Sequence, residues 1–524
     1  MGSSAMMKSK YKAPLLWGIF TAYSMLTLLG ALNHEVWLDE AQAWVILRDT
    51  PLAELPYRLK VEGHPPLWYV ILYPFVKLGF PAEYAPVISW FFMASGALVL
   101  LFKVELPLPL KAVMLASSGF LYFNSVMLRA YCLIPLLLFL ILWAYPKRRE
   151  HAVIYGLLIA LLANTHIFIS GIVGILGIFM LYELFSEWRK SSKGENIGKL
   201  AGLAIAGIGV LVLVIPLIGS IEANSASNQR MAGFSFASLE GMFFQTFNEC
   251  FFDIAFLHNV NGVFSTVLLC VADLCFVSIL ILLRHWRRAF AVELGFLGIY
   301  YVTCGLLWVS LPNRAAIFIL SFAFALCLTN YEKPVFKEHT VTEKITGNIR
   351  RFVTFLLKTD KNAKKVFTGI VTAFFAVSVP SGAILLYKDI GGNFSGAKDT
   401  ANYITENFDK NAVFVQLRSG MPEISFYNKD IKIFAASAGD IETYSHWEYL
   451  YNPKLSEEDT LRAISEYDEL YIIYYCEPNK TISGKTLYIA EGMREYSEKN
   501  SIGICEYNSK EVINYIEAIK ETHK

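Results

Sequence analysis

Apolar segments long enough to cross a membrane recur from Leu15 to Tyr387, and no other feature of this chain restricts its fold so tightly. A hydrocarbon layer about 30 Å thick takes about 20 helical residues to cross, and within it each backbone amide must be paired inside its own segment. The pattern predicts spans at 15–33, 86–102, 107–125, 131–146, 152–166, 168–185, 200–221, 262–283, 291–311, 315–330 and 366–387, about eleven in all. The expected fold class is therefore a polytopic α-helical membrane protein. With 55% hydrophobic and 17% charged residues the chain is richer in apolar and poorer in charged residues than an average soluble protein, in keeping with that class. The opening MGSSAMMKSKYK does not resemble a cleavable signal, so the first apolar segment is expected to remain as a span. The expected division is a membrane module over 1–387 and a soluble domain over 388–524. A formal net charge of +1 argues against a nucleic-acid partner.

One stretch, HPPLWYVILYPFVKLGF from His64 to Phe80, fits either a span or a helix lying at the membrane interface. If it lies flat, roughly twenty-four Lys and Arg fall on one face of the membrane against about seven on the other, as the positive-inside rule expects. If it spans, every later loop flips and the asymmetry is lost. The flat reading places the N-terminus in the cytoplasm and the 388–524 domain outside, with the plasma membrane as the expected location. It also puts five polar features on the outer face: Asp39-Glu40, Glu62 with His64, RAY at 129–131, NTH at 164–166 and PNR at 312–314.

In VWLDEAQAWVILRD, residues Trp37, Leu38, Ala41, Trp44 and Val45 follow helical spacing, leaving Asp39 to project elsewhere. Asp39 and Glu40 could merely complement the positive end of a helix. Carboxylates close to hydrocarbon are costly, however, and such residues usually carry a function. In EGHPPLWY, the two prolines suit a first helical turn and leave His64 at its mouth, as a turn residue or as a ligand. Arg129 and Arg314 each sit at the outer end of an apolar segment. Either could snorkel to headgroups, but on the carboxylates' side, with His166, they also suit an anionic group, for which the arginine fork is well shaped.

WLDEAQAW, GHPPLWYVIL, YFNSVMLRAY and LLANTHIFIS together resemble the successive signatures of the GT-C glycosyltransferases, in the branch related to protein O-mannosyltransferases and lipid A aminoarabinose transferases. The resemblance covers roughly Leu15 to Tyr331. The acidic pair followed by HPPL is its specific part; the RxY and TH signals are individually weak. It implies an enzyme that takes a sugar from a polyprenyl-phosphate carrier and acts on the outer face. Asp39 matches the family's acidic residue in the first outer loop, Glu40 is its motif partner, and Arg314 lies where relatives place a basic residue before a late span. Asn124-Ser125 stands where acidic character often precedes RxY, so no catalytic duty is carried over to that site.

Phosphate leaves as a stabilised anion, so the chemistry needs a base and charge stabilisation rather than a general acid. The expected mechanism has Asp39 deprotonating an acceptor hydroxyl as it attacks the anomeric carbon, with inversion, and Glu40 beside it in the catalytic pair. His64, Arg129, Tyr131, His166, Arg230 and Arg314 are the candidate substrate and phosphate ligands. Asp39 and Glu40 also admit a divalent cation such as Mg or Mn, although an adjacent pair supplies few ligands. Expected partners are a polyprenyl-phosphate sugar, membrane lipids, and an acceptor that the sequence leaves open between glycan, lipid and protein. The outer loop 222–262, which carries Arg230, reads as a structural cap or a re-entrant segment. A transporter of an anionic lipid or lipid-linked saccharide would also use outer arginines, but no internal repeat is visible. A receptor with an outer sensing domain leaves the acidic pair unexplained. In 388–524, alternating helix-like and strand-like segments predict a small α/β layer with a largely parallel sheet, and Cys476 and Cys505 are its two cysteines.

Overall fold

The computed structural model describes residues 12–223, 262–306, 312–335, 360–391, 394–416, 420–446, 470–476, 485–490 and 501–506, with a few single positions between them. The N-terminal apolar run forms α1, Lys12–Asn33, about 33 Å long at 1.5 Å per residue. Leu15, Trp17, Met25, Leu26 and Leu29 stay exposed on it, an apolar surface suited to lipid rather than water. Three short helices follow in the first loop: α2, Leu38–Asp49; α3, Leu55–Glu62; and α4, Leu67–Lys77. At 11 residues α4 reaches about 16 Å, half the hydrocarbon thickness, and Pro74 lies inside it.

The bundle continues with α5, Pro86–Lys103; α6, Leu108–Ala116; α7, Leu133–Ala144; α8, Ala152–Ala163; α9, Ser170–Glu187; and α10, Lys193–Ala223. It closes with α11, Gly262–Leu283; α12, Arg287–Leu306; α13, Pro312–Leu328; α14, Asp360–Val377; and α15, Val379–Gly391. Among the described residues seven helical stretches are long and apolar enough to cross a membrane. The chain is thus a polytopic α-helical membrane protein with a smaller C-terminal sheet domain. Helices pack through small residues: a Cβ at Gly156 of α8 would meet the Gly202 carbonyl of α10 at 2.0 Å, and one at Gly171 of α9 would meet that of Gly295 in α12 at the same distance.

Two expected spans are broken rather than continuous. The 107–125 segment stops as an α-helix at Ala116 and resumes as a π-helical turn, Gly119–Phe123. The 366–387 segment breaks at Ser378, just before Pro380, whose missing N–H cannot continue the ladder. The breaks face each other, Ser118 N donating to the Ser378 carbonyl at 3.2 Å, so the interrupted amides pair inside protein. Hydropathy does not register either break, because serines between apolar residues leave the average unchanged.

The basic loops gather at one end of the bundle. Glu183 of α9 meets Arg148, Arg149 and Arg288 there, and Asn330 Nδ2 donates to the Glu105 carbonyl at 3.0 Å. The opposite end holds the close of α1, the first-loop helices, residues 124–132 and 164–168, and the end of α15. Of the 222–262 loop, Phe247 and Phe251 are buried against Phe276, Phe318 and Phe374. Arg230 lies outside the described residues.

Past α15 the chain forms α16, Ala397–Asn407, then β1, Val413–Gln416; α17, Pro422–Tyr427; β2, Lys432–Ala435; β3, Asp440–Ile441; β4, Leu470–Cys476; β5, Lys485–Ala490; and β6, Ser501–Glu506. The sheet order is β3-β2-β1-β4-β6-β5. Only the central pairs, β1 with β2 and β1 with β4, are parallel, and the outer pairs are antiparallel, so the expected largely parallel sheet is in fact mixed. Ala397, Ala401 and Ile404 of α16 pack with Phe414, Ile433, Ile473 and Ile504 as this domain's core. In β4 and β6, Cys476 pairs with Ser501 while Cys505 pairs with Ile472. That offset separates the two cysteine Cα atoms by about 14 Å, twice the reach of a disulfide.

Candidate active site

The site begins where α1 ends. Residues 34–37 run without helix, and Trp37 sits at φ −104°, ψ 167° as the cap of α2. Glu40 folds back to accept the Trp37 amide hydrogen at 2.9 Å, satisfying a donor that the first turn leaves orphaned. Asp39, one residue earlier on the helix, points elsewhere. Its carboxylate meets the Arg129 guanidinium at 2.7 Å and remains 31% exposed, whereas the Arg129 side chain is 11% exposed. Burial pulls the Arg129 pKa down, but the Asp39 carboxylate more than compensates, holding the guanidinium above its ordinary value.

Around this pair stand the other sequence candidates. The Arg129 guanidinium carbon lies 5.6 Å from the ring centre of Tyr131. The Tyr131 hydroxyl is 3.2 Å from His166 Nε2, while His166 Nδ1 accepts the Phe168 amide at 3.3 Å. A neutral His166 with that acceptor must carry its hydrogen on Nε2 and donate it to the phenol. His64 Nδ1 donates to the Glu62 carbonyl at 2.9 Å, and its ring centre is 6.3 Å from that of His166. Asp39, Arg129, Tyr131, His166 and His64 therefore form one connected group at one end of the bundle. Arg314 falls in the first turn of α13, with its side chain outside the described residues.

Glu40 is adjacent in sequence but not in space to this group's open side. It is fully buried, and besides the Trp37 amide it accepts Leu128 N at 2.8 Å and faces His34 Nε2 at 2.9 Å. His34 Nδ1 in turn lies 2.7 Å from Asp389 at the end of α15. The pair admitted by sequence as a divalent-cation site does not fit one, since Asp39 is spent on a guanidinium and both Glu40 oxygens face donors. Among the described residues no group of three or more His, Cys, Asp or Glu is arranged to hold a metal.

The C-terminal domain roofs the first loop through specific contacts that sequence reading missed. Glu35 accepts the amides of Ser395, Gly396 and Lys398 at 2.9, 3.0 and 2.6 Å, so a first-loop carboxylate caps α16. Gln42 reads the Ser445 backbone at both ends, donating to its carbonyl at 2.7 Å and accepting its amide at 3.0 Å. Arg58 pairs with Glu62 at 2.8 Å and donates to the same carbonyl at 2.7 Å. Tyr69 of α4 is buried within electrostatic reach of Glu62, Arg129, Arg58 and Asp39, and burial first of all pushes its phenol up. Its only sequence signal was its place inside the GHPPLWYVIL motif.

No protein-family model and no curated protein matches the chain. Among solved structures it is similar to ArnT from Cupriavidus metallidurans in the apo state, at 13% identity over 94% of this chain and 98% of that one, with a TM-score of 0.46. It is also similar to ArnT from the same organism bound to undecaprenyl phosphate, at 12% identity over 93% and 97%, with a TM-score of 0.42.

Proposed function

We propose that the chain is an inverting glycosyltransferase of the GT-C kind, moving a sugar from a polyprenyl-phosphate carrier to an acceptor hydroxyl on the outer face of the plasma membrane. The observation that carries this reading is the partly exposed Asp39 carboxylate held against Arg129, with Tyr131, His166 and His64 around the pair. The motif resemblance to transferases that use such carriers supports it. In this reading 1–387 holds the catalytic apparatus and 388–524 is the extracytoplasmic roof, with the N-terminus in the cytoplasm.

The ion pair suggests how donor binding prepares the base. Without substrate, Arg129 would be an uncompensated buried cation but for Asp39, and Asp39 is a weak base while it accepts from a guanidinium. A donor phosphate is the stronger bidentate acceptor and draws Arg129 to itself, together with Arg314, Arg230 and His64. Asp39 is then released to take the proton of the acceptor hydroxyl. The acceptor oxygen forms its bond to the anomeric carbon as the carbon–oxygen bond to phosphate breaks, and the electron pair leaves on the polyprenyl phosphate. Attack opposite the leaving group inverts the anomeric centre. Tyr131 and His166 orient the phosphate side of the site.

The test is consumption of a panel of polyprenyl-phosphate sugars by purified protein, wild type against Asp39→Asn. Wild type should consume at least one donor and the variant none, while both elute alike from a sizing column. A variant that transfers sugar at the wild-type rate overturns the assignment of the base; a wild type inert toward every donor overturns the reading altogether.

A further inference from the structure

His34, Glu40 and Asp389 come from the end of α1, the first turn of α2 and the end of α15, and their side chains meet with no solvent exposure. Both ring nitrogens of His34 face carboxylate oxygens, Nδ1 to Asp389 at 2.7 Å and Nε2 to Glu40 at 2.9 Å. A neutral imidazole carries one N–H and would turn a lone pair on one of the two acids; only the imidazolium donates to both. Glu40 then passes this constraint on. Its second oxygen accepts Leu128 N at 2.8 Å, and the residue after Leu128 is Arg129, whose guanidinium holds Asp39. We propose that His34 is a positioning residue for the active site: a histidine held protonated by Glu40 and Asp389, it fixes the carboxylate that seats Leu128 and thereby aims Arg129 at Asp39.

Among the described residues, the charged and titratable groups around His34 fit this role. Asp389 faces it from α15 and Glu40 from α2. Glu35, its chain neighbour, is spent on the amides that open α16. Tyr427 of α17 takes the Val36 amide at 2.7 Å and lies within reach of Glu35, Glu40 and Asp389. Phe394 covers the ring, centres 5.0 Å apart. Burial disfavours the charged imidazole, but the Asp389 and Glu40 carboxylates outweigh it and hold His34 well above its ordinary value. The other Asp389 oxygen is buried without a hydrogen-bond partner, so an amide at this position can keep its oxygen there and turn its nitrogen to His34. Asp389 closes the last helix of the bundle, immediately before the segment leading to α16, so the same triad ties the roof domain to the aim of Arg129.

The catalytic part of this inference rests on the glycosyltransferase reading, and three variants test it. His34→Gln supplies one donor where two carboxylates need one each, and should lower kcat roughly 10- to 100-fold, as misalignment by a fraction of an ångström does, and raise the donor KM as well, because the misaligned Arg129 also holds the donor phosphate. Asp389→Asn can donate to a neutral His34, which still donates to Glu40, so it should keep near wild-type kcat and lose the alkaline fall that wild type shows as pH rises through the His34 pKa. The double variant restores complementarity, the glutamine donating to Glu40 and accepting from Asn, and should recover most of the kcat lost in His34→Gln. A double variant as slow as His34→Gln, or a His34→Gln variant with unchanged kcat, overturns the proposal. Nitrogen-15 NMR of histidine-labelled protein, assigned by difference against His34→Gln, should show both His34 nitrogens protonated at pH 7; a neutral ring also overturns it. Wild type that transfers no sugar yet keeps the cationic signal would instead sink the functional reading and leave the triad standing.

Discussion

Two acid–arginine networks stand at opposite ends of the bundle and use the same chemistry to different ends. At the basic end Glu183, 6% exposed, is ringed by Arg148, Arg149 and Arg288, with Arg148 also lying 4.0 Å over the Tyr145 ring. Glu187 nearby meets Arg149 and Lys199. Those acids are saturated by cations from several helices, which fixes helix ends and leaves nothing to exchange. At the other end Asp39, 31% exposed, meets the guanidinium of Arg129, while its neighbour Glu40 is locked inside. A carboxylate with a guanidinium partner and an open side can trade that partner for a substrate. Residue type does not separate a clamp from a site here; saturation and exposure do.

The comparison breaks most sharply at its two central acids. Asp39→Asn should cut sugar transfer by about 10²- to 10⁴-fold, the usual worth of a positioned base, while leaving the thermal unfolding of the protein in detergent unchanged. Glu183→Gln should do the reverse. Arg148 and the partly exposed Arg288 lose their counter-charge while Arg149 keeps Glu187, which costs about 1–3 kcal/mol of stability after solvent screening, and transfer per folded molecule should persist. If Glu183→Gln abolished transfer in folded protein, or Asp39→Asn unfolded it, the division of labour between the two ends would be wrong.

Sequence made the open half of the Asp39 network legible and hid the closed half. Asp39, His64, Arg129 and His166 each sit at the end of an apolar run or beside a helix-opening proline pair, so counting the basic residues of the loops was enough to bring them to one end of the bundle. Glu40 read as a second catalytic acid because adjacency is visible and direction is not; its partners lie 88 residues away at Leu128 and, through His34, at Asp389, 355 residues from that histidine. Asp389 looked like the first acidic residue of a soluble domain, yet α15 runs on to Gly391 and carries it to the site's floor. The mixed sheet was hidden for a similar reason, since strand order is set by where the chain returns and not by local alternation.

The roof gives a smaller and sharper test. Gln42 matches the Ser445 amide and carbonyl in the manner of a neighbouring strand, and truncating it to alanine removes the acceptor that Gln42 gives the Ser445 amide, while Arg58 still donates to the carbonyl. Gln42→Ala should cost about 1–3 kcal/mol in the docking of the C-terminal domain. Faster amide exchange at Ser445, with the bundle's exchange unchanged, is the reading to look for; equal loss of protection at the basic end would show that the two networks are not separable units.

The smallest effect distinguishes the two pH limits of that docking. Asp49 closes α2 beside Arg48, which donates to Asp49 through Nε at 2.7 Å and to the Ser425 carbonyl of α17 through Nη1 at 2.6 Å. Burial pushes the Asp49 carboxyl up, but its hydrogen bonds with Arg48 and Thr443 outweigh that and hold it below its ordinary value. A depressed carboxyl contributes stability above its unfolded pKa, near 3.8, and loses it as pH falls through the lower folded value. His34, raised above 6.5, runs the other way, its contribution complete below that value and lost as pH climbs through the folded one. Because the Asp49 pair is partly open to solvent, its acid-side share is at most about 0.5 kcal/mol after screening. Exchange at Ser425 should therefore rise only slightly below pH 4 and vanish as an effect in Asp49→Asn, while the larger alkaline loosening survives that variant and disappears in Asp389→Asn.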